Sequence, residues 1–209
     1  HYPLRRQRQM CIRDSIKVYG QRNNFLYQFG RQGTGPGEFS GLVGLAINRQ
    51  RNLLYAADIW RVGVNPRVKV FDLQGNFLFE FTTPEDSEPK LAWPQHLAVG
   101  AEGKIYVVDT FFRRLFIFDQ AGKFLGTIGE PGDLPGCFSR PKGIATDSDG
   151  NIYVADADFN LIQIFNPEGR LNFFFHGAPP VQIAFPNGLY IDEQDRFYIV
   201  DTLNRMART

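Results

Sequence analysis

After residue 15 the chain is built from short apolar runs separated by clusters of Gly, Pro, Asp and Asn. The runs are too short for helices and rich in Val, Ile, Phe and Tyr, which predicts strands joined by tight turns. They also recur. Ile105-Tyr106-Val107-Val108-Asp109 is echoed by Ile152-Tyr153-Val154-Ala155-Asp156, by Phe197-Tyr198-Ile199-Val200-Asp201 and by Leu54-Tyr55-Ala56-Ala57-Asp58. The closing aspartates, in chain order, are spaced by 51, 47 and 45 residues. A second motif, Val70-Phe71-Asp72, returns as Ile117-Phe118-Asp119 and Ile164-Phe165-Asn166 at intervals of 47, each followed three residues later by Gly75, Gly122 or Gly169. A third opens three of the repeats, with Pro94, Pro141 or Pro186 heading a small apolar run; Leu42 holds that place in the first copy.

A repeat of about 40–50 residues made of short strands predicts an all-β fold, a β-propeller of four-stranded antiparallel blades. In the third repeat the expected strands are 142–147, 152–156, 162–166 and 171–175, with Gly150 and Gly169 in the turns. Strand two reads as almost continuously apolar, as expected of a strand buried on both faces between neighbouring blades. The division is a half-blade at 16–29, blades at 42–82, 95–128 and 142–175, and a half-blade at 187–201. That is about four blades' worth, whereas a six-bladed ring with this repeat needs about 280 residues. Open blades would expose apolar faces and unpaired edges, so association through those edges is expected.

The segment from Phe138 through Pro141, Asp147 and Gly150 to Asp156 resembles an NHL repeat, as does Phe185 through Asp192 into Asp201 and Arg205. The glycine-rich stretches Gly30–Phe39 and Gly129–Phe138 are similar to the family's lead-in to a new blade. The resemblance covers about residues 16–209 and is closest in flavour to bacterial six-bladed NHL-repeat chains, so this chain is expected to be a fragment of such a ring. It implies a six-bladed ring that serves as a binding platform. Propellers host unrelated tasks, so the fold alone assigns no function.

Composition narrows the classes. With 43% apolar and 22% charged residues the chain is neither disordered nor fibrous. No apolar run is long enough for a spanning helix, and two cysteines exclude a disulfide scaffold. The net charge of +1 is unevenly spread: residues 1–15 carry +3 and read as a basic, disordered or non-native tail, which leaves the repeats at −2. The compartment stays open, an extracytoplasmic or periplasmic one included.

The aspartate closing strand two invites a catalytic reading, but it recurs once per blade, whereas an active site occurs once per ring. It is expected instead to accept backbone N–H bonds and to pair with an Arg such as Arg114 or Arg205. The glycine-rich loops lack the Lys-Ser/Thr of a phosphate loop and are expected to be connectors. His96 stands where other repeats carry Gly44, Gly143 and Gly188, on the strand nearest the axis, while His176 lies beyond an outer strand, so no shared metal and no cofactor are expected. Cys137 has no base placed beside it by any motif.

The turns from strand two to strand three are unusual in carrying Trp, Phe and Leu beside Arg: Trp60 and Arg61, Phe111, Phe112 and Arg113, Phe159, and Leu203. The entries to strand one add Gln95, His96, Lys142 and Asn187 around the channel mouth. Aromatic plus Arg is the composition of interaction hot spots, so a protein or peptide partner is expected on this face. The plainer alternative is that the aromatics fold inward over neighbouring blades. A metal-dependent hydrolase or lyase, lactonase-like, is the enzymatic alternative; no repeat offers the inward Glu such relatives use. Single-stranded RNA is the other binding alternative, against which the −2 of the repeats argues.

Overall fold

The computed structural model describes residues 14–59, 65–178 and 181–202. The basic tail, apart from its last two residues, lies outside them. A first hairpin, β1 (Ile16–Tyr19) and β2 (Phe25–Phe29), precedes three antiparallel four-stranded sheets. Blade one is β3 (Leu42–Asn48), β4 (Leu53–Asp58), β5 (Arg67–Asp72) and β6 (Phe77–Phe81). Blade two is β7 (Pro94–Val99), β8 (Ile105–Asp109), β9 (Arg114–Phe118) and β10 (Phe124–Ile128). Blade three is β11 (Pro141–Thr146), β12 (Ile152–Asp156), β13 (Leu161–Phe165) and β14 (Leu171–Phe175). A small hairpin, β15 (Gly177–Ala178) and β16 (Val181–Gln182), leads to a last pair, β17 (Pro186–Ile191) and β18 (Phe197–Asp201). Within each sheet the strands lie side by side in chain order, the meander of a propeller blade. In blade three the first and third strands start one residue earlier than their sequence pattern suggests, because Pro141 already pairs with Asp156 and Leu161 does so from the other side.

The innermost strands β3, β7, β11 and β17 pack on one another in succession around an axis. Their approach is close: a Cβ on Gly143 would sit 2.7 Å from the Leu189 nitrogen, and one on Gly44 2.8 Å from the Gln95 carbonyl oxygen. Glycine at these positions is therefore a packing requirement, not a turn device.

Strand two explains the core. Tyr55 and Ala57 face blade two with Ile105, Val107, Phe116 and Phe118, whereas Leu54 and Ala56 face the first hairpin with Ile16, Phe39 and Phe71. Tyr106 and Val108 turn the other way, into the seam with Ile144, Ile152, Val154 and Phe165. Successive side chains point to opposite faces, so a blade between two blades must be apolar at both parities. The Phe residues fill these wedges: Phe71 against Phe29 and Phe39, Phe118 against Phe81, and Phe165 against Phe138. Gly75, Gly122 and Gly169 take φ of 91°, 83° and 81° and close the outer turns with N–H bonds to Asp72, Asp119 and Asn166.

The connectors are pinned from inside the sheets. Lys69, 1% exposed in mid-β5, donates from Nζ to the carbonyls of Gly35 and Glu38 and lies 3.8 Å from Asp58. Ninety-four positions on, two repeats later, Gln163 does the equivalent work in β13, accepting from Gly136 N–H and donating to the Cys137 carbonyl. The glycine-rich stretches thus run as clipped connectors, each with a parallel bridge, Gln32 to Phe39 and Pro131 to Phe138.

Candidate functional site

The recurring aspartates sit at the end of the second strand, and their chemistry is structural. Asp109 accepts N–H bonds of 2.7 Å from both Ala92 and Trp93 and of 2.9 Å from both Phe111 and Phe112. Asp156 accepts from Ser139, Arg140 and Phe159, and Asp58 from Ser40 and Gly41. Asp201 repeats the bond to Ala184. Asp109 and Asp156 therefore tie the two residues ahead of strand one to the turn after strand two, and Asp58 and Asp201 hold the approach to strand one in the same way. Of the expected Arg partners, Arg114 donates to the Phe112 carbonyl rather than to Asp109, and Arg205 lies outside the described residues; main-chain N–H groups hold Asp109 and Asp156, and Lys69 is the cation beside Asp58. Burial pushes the Asp156 carboxyl above its ordinary value, against the downward pull of its N–H donors.

This clamp positions side chains on one face. The residue just before strand one is Gly41, Trp93, Arg140 or Phe185 in successive repeats. The next residues in fall on bulges: pairing skips between Leu42 and Gly44, Pro94 and Leu97, Pro141 and Ile144, and Pro186 and Gly188. A bulge leaves residues out of the ladder and re-aims them, and it is here that Gln95, His96, Lys142 and Asn187 stand.

A cleft of about 480 Å3 opens between blades two and three, lined by Trp93, Thr110, Phe111, Arg113, Ser139, Arg140, Lys142 and Asp158. It unites three of the residues expected from sequence, Phe111, Arg113 and Lys142. Phe111 is 67% exposed and Trp93 46%. Phe112 goes the other way, packing on the core between blades one and two with its ring edge-on to Phe111 at 5.0 Å. Phe159 lines a separate cleft of about 270 Å3 with Leu134, Phe174 and His176. Gln95 is half-buried and Asn187 exposed, and neither lines the first cleft. Trp60, Arg61 and Leu203 lie outside the described residues.

Arg140 lies 3.5 Å from Asp158, and its guanidinium stands 5.6 Å from the Phe185 ring centre. Burial, then the Arg140 charge, holds the Lys142 ammonium below the usual lysine range, with Asp158 pulling back the other way. Burial, then the charge of Lys142, also lowers His96, which favours the neutral imidazole. Arg113 occupies a left-handed turn position, φ 52°, where blade three has Asn160 at φ 55°. That conformation suits Asn better than Arg.

Sequence reasoning missed Trp93, Arg140, Ser139 and Asp158. For Trp93 and Arg140 the signal lay one place ahead of the recurring proline, in a position that varies between repeats while the motif does not.

Along the axis, the inner strands enclose a channel of about 570 Å3, its walls including Leu45, Ala98, Ile144 and Leu189. Asp147, Asp192, Glu193 and Asp195 gather at its far mouth, where Arg49 meets Glu193 at 2.6 Å. Among the described residues no three His, Cys, Asp or Glu side chains gather as metal ligands would. No described helix is long and apolar enough to cross a membrane.

Residues 91–174 match the model of a family described as DUF5128, 6-bladed beta-propeller. Among solved structures the chain is similar to a streptogramin B lyase, with a TM-score of 0.60 at 15% identity, covering 91% of this chain and 54% of that one. It is similar to virginiamycin B lyase from Staphylococcus aureus, with a TM-score of 0.56 at 14% identity, covering 77% and 49%. A gluconolactonase from Xanthomonas campestris gives a TM-score of 0.64 at 14% identity, covering 88% and 61%. The chain thus spans about half the length of the lyases it matches. No curated protein matches it significantly. At these identities the likeness defines the fold, a β-propeller, and the family model that residues 91–174 match describes six blades.

Proposed function

We propose that this chain is an NHL-type β-propeller acting as a non-catalytic interaction module, which binds a protein or peptide partner on the face formed by the strand-two-to-three turns and the connectors. The observation that carries this reading is the cleft between blades two and three. Two large aromatics, Trp93 and Phe111, stand exposed there beside Arg113, Arg140 and Lys142. Solvated turns normally carry small polar residues; exposed Trp and Phe among Arg are the composition of binding hot spots. The clamp by Asp109 and Asp156 supports it, because it holds this face rigid before any partner arrives, which lowers the entropy cost of binding.

The metal-dependent hydrolase or lyase alternative rests on fold likeness to proteins of about 15% identity and, among the described residues, on no metal-ligating cluster. The test is selection of peptides from a random display library on the immobilised chain, with recovered peptides re-measured against a Trp93→Ala, Phe111→Ala double variant. Loss of binding with an unchanged melting curve is the expected result. Peptides that bind wild type and double variant alike would sink the proposal.

A further inference from the structure

We propose that the cleft between blades two and three receives a carboxylate from an acidic segment of the partner; this rests on the interaction role above and names the chemistry of that site. Three cations converge on the cleft from three separate elements. Arg113 comes from the turn between β8 and β9, Arg140 from the connector, and Lys142 from the bulge at the start of β11. Among the described residues lining it, Asp158 is the one carboxylate, and it is already engaged with Arg140 at 3.5 Å. The cleft is left with an excess of positive charge.

That excess is unfavourable as it stands. Lys142 is half-buried, and both its burial and the neighbouring Arg140 work against its charged form. Arg140 cannot relieve the strain by losing a proton, since a guanidinium stays charged in proteins. An incoming carboxylate would offset one of the unbalanced charges and accept charge-assisted hydrogen bonds from both sides of the cleft. Trp93 and Phe111 on the rim would cover an apolar neighbour of the acidic residue. The fitting partner is therefore a short segment in which Glu or Asp alternates with a large apolar side chain.

A nucleic-acid strand fits less well. It needs a continuous basic track, whereas these cations share one cleft, the repeats sum to −2, and the opposite channel mouth gathers Asp147, Asp192, Glu193 and Asp195.

The probes are a fluorescein-labelled peptide alternating glutamate with leucine, its glutamine counterpart, and a labelled decauridine, each titrated by anisotropy into the full 209-residue chain. The glutamate peptide should bind at least about tenfold more tightly than the glutamine one, with a gap that narrows as salt rises. Lys142→Met should remove most of that preference. So should Arg113→Asn, which keeps a residue suited to the left-handed turn. Arg170→Ala, on the distant outer turn of blade three, should leave it intact. Equal binding of the two peptides overturns the acidic preference; if both then weaken with Trp93→Ala, the interaction face itself survives. Tighter binding of decauridine, lost with Lys142→Met, overturns the acidic segment in favour of RNA. If neither peptide binds, the acidic proposal fails, and the display selection judges the face separately.

Discussion

At the scale of single residues, the aspartates closing strand two accept main-chain N–H bonds, as their recurrence in every blade predicts. Asp109 presents both oxygens to four N–H groups and is fully buried. One oxygen holds Ala92 and Trp93, the other Phe111 and Phe112, so the carboxylate ties together two walls of the cleft between blades two and three. Asp109→Asn would turn an amide N–H2 toward two of those donors. The loss should be about 2–4 kcal/mol in urea unfolding, the range for removing a buried charge-assisted acceptor and leaving its partners unmet. A loss under about 0.5 kcal/mol, the range of ordinary surface substitutions, would refute the clamp.

At the scale of elements, the seams between inner strands differ. Glycine lets β3 approach β7 and β11 approach β17 to backbone contact. Between β7 and β11 the matching position is His96, which fills its seam with a ring whose neutral form is favoured by burial and by Lys142. The folded value lies below the unfolded one of about 6.5, so the unfolded chain takes up the proton first. Stability contributed by the neutral ring is therefore complete above that value and declines as pH falls through it. Melting temperature should drop between pH 7 and 5 in the wild type, and the drop should be smaller in His96→Gln. Parallel declines in both proteins would show that His96 does not carry the effect.

At the scale of the whole molecule, the ring is open among the described residues. β1–β2 and β17–β18 remain separate two-stranded sheets. Tyr19, Phe25 and Leu26 are exposed on the first, and Tyr190, Tyr198 and Val200 on the last. On β17–β18 the inward parity, Leu189 and Ile199, packs on blade three, so the outward parity presents the face on which a further blade would sit. We propose that the isolated chain associates through these faces and edges. Sedimentation velocity should show mass rising with concentration, and Tyr190→Lys with Val200→Lys should reduce it. A monodisperse monomer over a wide concentration range would count against it.

The sequence by itself determined what is local and periodic. Strand two announces its double burial through apolar residues at both parities, as at Ile105-Tyr106-Val107-Val108, because the blade's neighbours are copies of itself. The outer turns announce themselves through Gly75, Gly122 and Gly169, because positive φ is a property of one residue. Of the candidate site, Phe111, Arg113 and Lys142 were legible as departures from ordinary turn composition. Only the tertiary structure decided which of them meet. Phe111 faces solvent and Phe112 the core, although they are adjacent and alike, because the direction of each depends on the blade beside it. Trp93 and Arg140 join the cleft because Asp109 and Asp156, 16 residues later in the chain, hold their N–H groups in place. Contacts between blades connect residues about one repeat apart, and no local pattern encodes which side chain a neighbouring blade leaves uncovered.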